Sequence, residues 1–186
     1  MIDINKIETL TKRNSVVITI STAFAGSLVL ALLARLSIPV PFSPIPITGQ
    51  TFGVLCLGAL LGSHIGTLSI LMYISEGLVG LPVFAGGSLG FLYLFGPTGG
   101  YLMGFIPSVY LVGFLSEKGF TSKISTILIT MILGTSVIFI FGISWLAITA
   151  GFETVLLIGL YPYLPGAAIK ILLATIVAYS ISRFNK

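Results

Sequence analysis

Polar residues stand in short islands along this chain, and the apolar runs between them define the elements. After a polar opening segment, residues 1–14 (MIDINKIETLTKRN), an apolar run extends from Ser15 to Ser37. VPFSPIP ends it, because proline fixes φ and removes a backbone donor. Later runs bounded by turn signals predict helices over about 48–62, 67–79, 98–117, 123–150 and 166–183, six in all. The short turn SHIG parts the second from the third, Pro97 precedes the fourth, and an amphipathic piece, GFETVLLIGLYPYLP, leads into the sixth. One stretch fits no single element. Residues 81–105, LPVFAGGSLGFLYLFGPTGGYLMGF, are as apolar as a membrane span yet hold two prolines and seven glycines. Their first part, with Gly80, reads as a re-entrant loop over about 80–97.

Composition decides what the helices are for. Only 8% of residues are charged and mean hydropathy is +1.14, whereas soluble domains carry roughly 25% charged residues. The expected fold is an all-α integral membrane protein in one domain, with six transmembrane helices in a lipid bilayer. The net charge of +4 is no nucleic-acid signal, because the basic residues sit at the two ends and in one connection. Lys6, Lys12 and Arg13, then Lys118 and Lys123, then Arg183 and Lys186 all fall on one side of a six-span topology. By the positive-inside rule that side is cytoplasmic, as are both termini. Three long apolar loops then share the outer face, and irregular backbone at that depth belongs where it lines a cavity. A lid over an outward-facing pocket is the expectation.

Candidate chemistry is sparse. Arg35, Glu76, Glu153 and Lys170 lie inside or beside apolar segments, all in the outer half of the membrane. A charge at a helix centre costs about 2.5–3.5 kcal/mol on insertion scales and usually faces a cavity or a partner. Arg35 is expected to snorkel to the interface, and Glu153 to sit solvated in its loop or to charge the N-terminus of a short helix. Glu76 and Lys170 form either a structural ion pair or a ligand contact. Gln50 and Thr51 add neutral hydrogen-bonding groups at the same level. His64, the sole histidine, lies in a turn on the other side, so no catalytic set assembles. Cys56, also single, allows neither an intrachain disulfide nor a cysteine metal cluster. GPTGGY lacks the lysine and hydroxyl of a phosphate loop. Ala23, Ser27 and Ala31, spaced by four on the first helix, predict a small-residue docking stripe for another membrane subunit.

GLPVFAGG followed by GPTGGYLMGF, together with VPFSPIPITGQTF, LGALLG and YPYLPGAAIKILLA, resembles the BioY family over nearly the whole chain. Those proteins are biotin-specific substrate-binding S-components of energy-coupling factor (ECF) transporters. The resemblance implies a bacterial cell-membrane protein that takes biotin from outside and needs no cofactor. It also implies docking, through the Ala23–Ser27–Ala31 stripe, on a transmembrane coupling subunit driven by two cytoplasmic ATPases. Biotin's rings and chain are then expected against Phe84, Phe91, Tyr93 and Tyr101, beside Ser88. Lys170 is expected on the carboxylate and Gln50 or Glu76 on the ureido group. The chain departs from the family pattern at Ala167, where an acid is expected, and at Ser88, where a base is. A rival reading is a small homo-oligomeric carrier for biotin or a related carboxylate such as lipoate, coupled to protons through Glu76.

Overall fold

The computed structural model describes residues 4–184, with side chains for 15–148 and 151–183. Helix α1 (Ile4–Arg35) leads into a short antiparallel ribbon of β1 (Ser37–Ile38) and β2 (Ile47–Thr48), paired Ser37 to Thr48 and Ile38 to Ile47. Helix α2 (Gln50–Leu78) follows, then a loop holding the 3-10 turn Ala85–Gly87 and the one-turn helix α3 (Gly90–Leu94). Helix α4 (Gly99–Leu115) ends in a π turn, Ser116–Phe120, and α5 (Ile124–Ala150) runs back. The short α6 (Val155–Gly159) and the 3-10 turn Tyr161–Tyr163 lead to α7 (Leu164–Phe184).

Among the described residues five helices are long and apolar enough to cross a membrane, and α2 makes two traverses. Its path breaks at Gly62, where φ is 77° and ψ is −178°, a region open essentially to glycine alone. Gln50 and Tyr73 would stand about 34 Å apart on a straight helix, yet their side chains are hydrogen-bonded at 2.6 Å. The two arms, 50–61 and 63–78, therefore fold against each other. The sequence places this reversal in a turn at 63–66, but the structure needs only Gly62, and Ser63 to Gly66 are already helical. The end of α4 secures the bend. Glu117 accepts hydrogen bonds from the Ser63 amide (2.6 Å) and hydroxyl (3.0 Å), and Ser116 donates to the Ala59 carbonyl at 2.9 Å. Both α2 arms are shorter than the roughly 30 Å hydrocarbon core. Non-helical chain at their far ends thus lies at membrane depth, where protein must surround it.

That protein is the core. Leu30, Val54, Ile70, Tyr73, Phe84 and Val109 form one fully buried cluster joining α1, both arms of α2, the 80–98 loop and α4. A second joins α2, α4, α5 and α7 through Leu55, Val112, Met131 and Ala174. Val16, Ile18, Leu28 and Leu32 point outward from α1, as a lipid-facing surface requires. The apolar run predicts a first helix over 15–37. The observed α1 begins earlier, at Ile4, and stops at Arg35 where the ribbon starts. Lys6, Lys12, Arg13 and Lys186, on which the orientation depends, lie outside the residues with described side chains.

Candidate functional site

At the end of the bundle opposite Gly62, the first arm of α2 and helices α4, α5 and α7 part around a partly open pocket. Leu55, Phe105 and Ile138 are among its apolar lining, while Ile45–Thr48, Tyr93, Thr98 and Tyr163 come from the loops. Helix periodicity explains which residues reach it. Thr51 and Leu55 are four apart on α2, Tyr101 and Phe105 four apart on α4, and Thr135, Ile138 and Phe139 share one face of α5. On α7, Ala167 and Lys170 are three apart and follow Tyr163 down the same wall.

Lys170 is the only charged side chain in that lining, and among the described residues it has neither ion-pair nor hydrogen-bond partner. Most pocket hydroxyls are already committed to the protein. Thr48 donates to Gln50 (2.8 Å), Thr135 to the Met131 carbonyl (2.8 Å) and Tyr101 to the Gly159 carbonyl (2.6 Å). The Tyr163 hydroxyl reaches the Ile45 carbonyl and lies 2.6 Å from the Ser43 hydroxyl, tying the β1–β2 loop to the last connection. Gln50 is buried and donates to the Tyr73 hydroxyl, which donates in turn to the Val83 carbonyl at 3.1 Å. Tyr93 stacks on Phe84 with ring centroids 5.1 Å apart, and burial raises its phenol pKa above the usual value.

Of the residues singled out in the sequence, Lys170, Ala167, Gln50, Thr51, Tyr93 and Tyr101 line this pocket together. The others stand elsewhere. Glu76 faces α1, where its Oε1 accepts from the Ser27 hydroxyl at 2.7 Å, so it neither meets Lys170 nor reaches the pocket. The carboxylate that the proton-coupled carrier reading relies on therefore stands outside the pocket. Phe84 is fully buried behind Tyr93, and its ring lies so close to Gly77 that any side chain there would collide with it. Phe91 is 62% exposed and stacks on Phe95 instead. Ser88 accepts the Phe84 amide through its backbone and is absent from the lining.

Ala23 and Ser27 are fully buried inside the molecule and Ala31 packs against the main core, so this stripe is no open docking face. Small residues spaced by four signal close approach, and here the approach is to α2. Arg35 is exposed and donates to the Pro82 carbonyl at 2.6 Å, holding the loop against the end of α1. His64 and Glu153 are exposed. Sequence reasoning missed Thr48, Thr98, Thr135, Phe105, Phe139 and Tyr163 as lining residues. Phe105 was accessible by counting four residues along α4 from Tyr101, whereas on α5 the sequence marks no wall position to count from. Among the described residues no group of three or more metal-ligating side chains occurs.

Six apolar traverses around a mostly apolar pocket with one unpaired cation, closed at one end by loops, define a membrane component that binds a solute. The chain belongs to the BioY family, whose family model matches residues 7–186. It is 33% identical over 168 residues to the biotin transporter BioY of Rhizobium etli, covering 86% of this chain and 90% of that protein. It is 36% identical over 141 residues to a probable biotin transporter BioY of Pyrococcus horikoshii, covering 76% and 83%. A crystal structure of the S-component for biotin from an ECF-type ABC transporter superposes with a TM-score of 0.78 at 29% identity, covering 98% of this chain and 95% of that one.

Proposed function

We propose that this chain captures biotin in the loop-roofed pocket and serves as the biotin-binding S-component of an ECF-type transporter. The observation that carries the reading is the unpartnered Lys170 ammonium in a lining otherwise neutral and mostly apolar. Such a cation calls for an anion, and a surrounding aromatic and aliphatic wall calls for an apolar body behind it. Biotin supplies both, a carboxylate on an aliphatic chain and a compact bicyclic ring system. Its carboxylate pairs with Lys170, and its rings and chain lie against Tyr93, Tyr101 and Phe139. The loss of an acid at Ala167 makes Lys170 fully available to the ligand.

The chain carries no nucleotide-binding loop and no ionisable group in the pocket other than Lys170 and the tyrosines. Movement of the loaded pocket therefore falls to other subunits, a transmembrane coupling protein and two cytoplasmic ATPases. The pocket faces outward and both termini are cytoplasmic in a bacterial inner membrane, with Lys118, Lys123 and Arg183 on the inner side. Purified chain in detergent should be stabilised against heat by biotin and not by lipoate, since only a ligand that binds the folded state raises the melting temperature. In liposomes without ATPases, the chain should bind biotin but sustain no gradient-driven uptake. Sustained uptake there would overturn the S-component reading.

A further inference from the structure

Three stretches of irregular chain roof the pocket, and they are not fastened equally. The 80–97 loop is pinned at several points. Phe84 is fully buried, Arg35 and Tyr73 donate to the Pro82 and Val83 carbonyls, and Trp145 Nε1 donates to the Gly96 carbonyl at 3.0 Å. The α6 connection is held by buried Val155 and by Tyr101, which reaches the Gly159 carbonyl from the pocket wall. The β1–β2 loop, 39–46, has far less. Ile45 is its only buried residue, and Phe42 in its turn is 72% exposed.

One cluster of hydroxyls completes the attachment of this loop. Ser43 Oγ lies 2.6 Å from the Ile158 carbonyl and 2.6 Å from the Tyr163 hydroxyl, and it accepts from the Ile45 amide at 3.2 Å. The Tyr163 hydroxyl donates onward to the Ile45 carbonyl. Ile158 stands in the last turn of α6, where carbonyls lack helical partners, so Ser43 takes one that the helix leaves open. Two hydroxyl protons serve three oxygen–oxygen contacts here, so in any arrangement one contact carries none. The fastening is therefore modest, since each hydrogen bond made contributes little net stability. Ile45, Pro46, Ile47 and Tyr163 line the pocket, whereas Ser43 does not. Releasing Ser43 thus frees a piece of the roof without touching a lining side chain.

We propose that Ser43 is a positioning residue: through Tyr163 and the Ile158 carbonyl it latches the β1–β2 loop over the pocket and sets how fast a ligand enters and leaves. This deepens the biotin reading and rests on it. The latch joins protein groups alone, so its loss leaves the ligand's own contacts in place. The loop then lifts more readily for entry and for exit, and both rate constants rise while their ratio holds.

The test follows biotin association and dissociation in wild type, Ser43→Ala and Ser43→Thr, purified in detergent. Ser43→Ala should raise both rate constants about three- to tenfold, the worth of one net hydrogen bond, and keep Kd within about twofold of wild type. Ser43→Thr, which keeps the hydroxyl, should restore wild-type rates. Hydrogen exchange over residues 39–46, read without ligand, should quicken in Tyr163→Phe, which keeps the ring but removes its bond to the Ile45 carbonyl. Unchanged rates in Ser43→Ala, a rise in dissociation alone, failure of Ser43→Thr to restore the rates, or wild-type exchange in Tyr163→Phe would each overturn the latch. Wild type failing to bind biotin would instead overturn the function proposed above, and the exchange comparison would still decide the latch.

Discussion

The Gln50 side-chain amide donates to the Tyr73 hydroxyl at 2.6 Å, joining the two arms of α2 beside the pocket. The bond continues outward from Tyr73 to Val83 and is fed from Thr48. One buried chain of polar groups thus links the β1–β2 ribbon to the loop that carries Tyr93. Tyr73→Phe keeps the ring but strands the Gln50 amide. Stability should fall by about 1–3 kcal/mol, the cost of an unsatisfied buried group, and thermal unfolding in detergent reads it directly. Biotin affinity should fall with it, as the ribbon and loop lose a shared anchor.

The Gly62 break admits a similar test. Gly62→Ala should destabilise the protein by about 1–3 kcal/mol, since the backbone there occupies a region nearly closed to other residues. A side chain would also strike the Glu117 carboxylate that holds the bend. A melting temperature equal to wild type would mean the arms do not turn at this residue.

Phe84→Ala should act on stability and binding together. Phe84 is fully buried, stacks on Tyr93 and meets the Tyr73 ring edge-on at 5.6 Å. Removing such a ring typically costs about 3–5 kcal/mol, and Tyr93 loses its backing at the pocket wall. Phe91→Ala, on the exposed side of the same loop, should leave the melting temperature nearly unchanged.

Glu76→Gln should keep biotin affinity within about twofold of wild type, because the amide oxygen still accepts from Ser27 and the ligand is not in contact. A tenfold loss would bring Glu76 back into the site.

Glu76 also shows where the sequence stops being informative. Its apolar flanks reveal depth in the membrane but not direction. Tyr73 and Glu76, three residues apart on the same arm, end up facing the core and α1 respectively. Lys170 and Tyr101 were legible because a charge near the start of the last helix and a tyrosine opening the fourth have few other places to point. Phe84 looked like ligand-facing wall because sequence shows an aromatic in a glycine-rich loop. It does not show that Gly77, on the helix before, leaves room for that ring in the core. The six-traverse architecture followed from apolar runs and turn signals, whereas the reversal of α2 at one glycine required the backbone itself.

The account stands most directly on Lys170. Titration of the purified chain with biotin should show one site per chain, and Lys170→Met should weaken it at least about thirtyfold, roughly 2 kcal/mol, the low end for losing one partner of a desolvated charge pair. Affinity for the methyl-ended analogue should stay the same in both proteins. Wild-type biotin affinity in Lys170→Met would contradict the account.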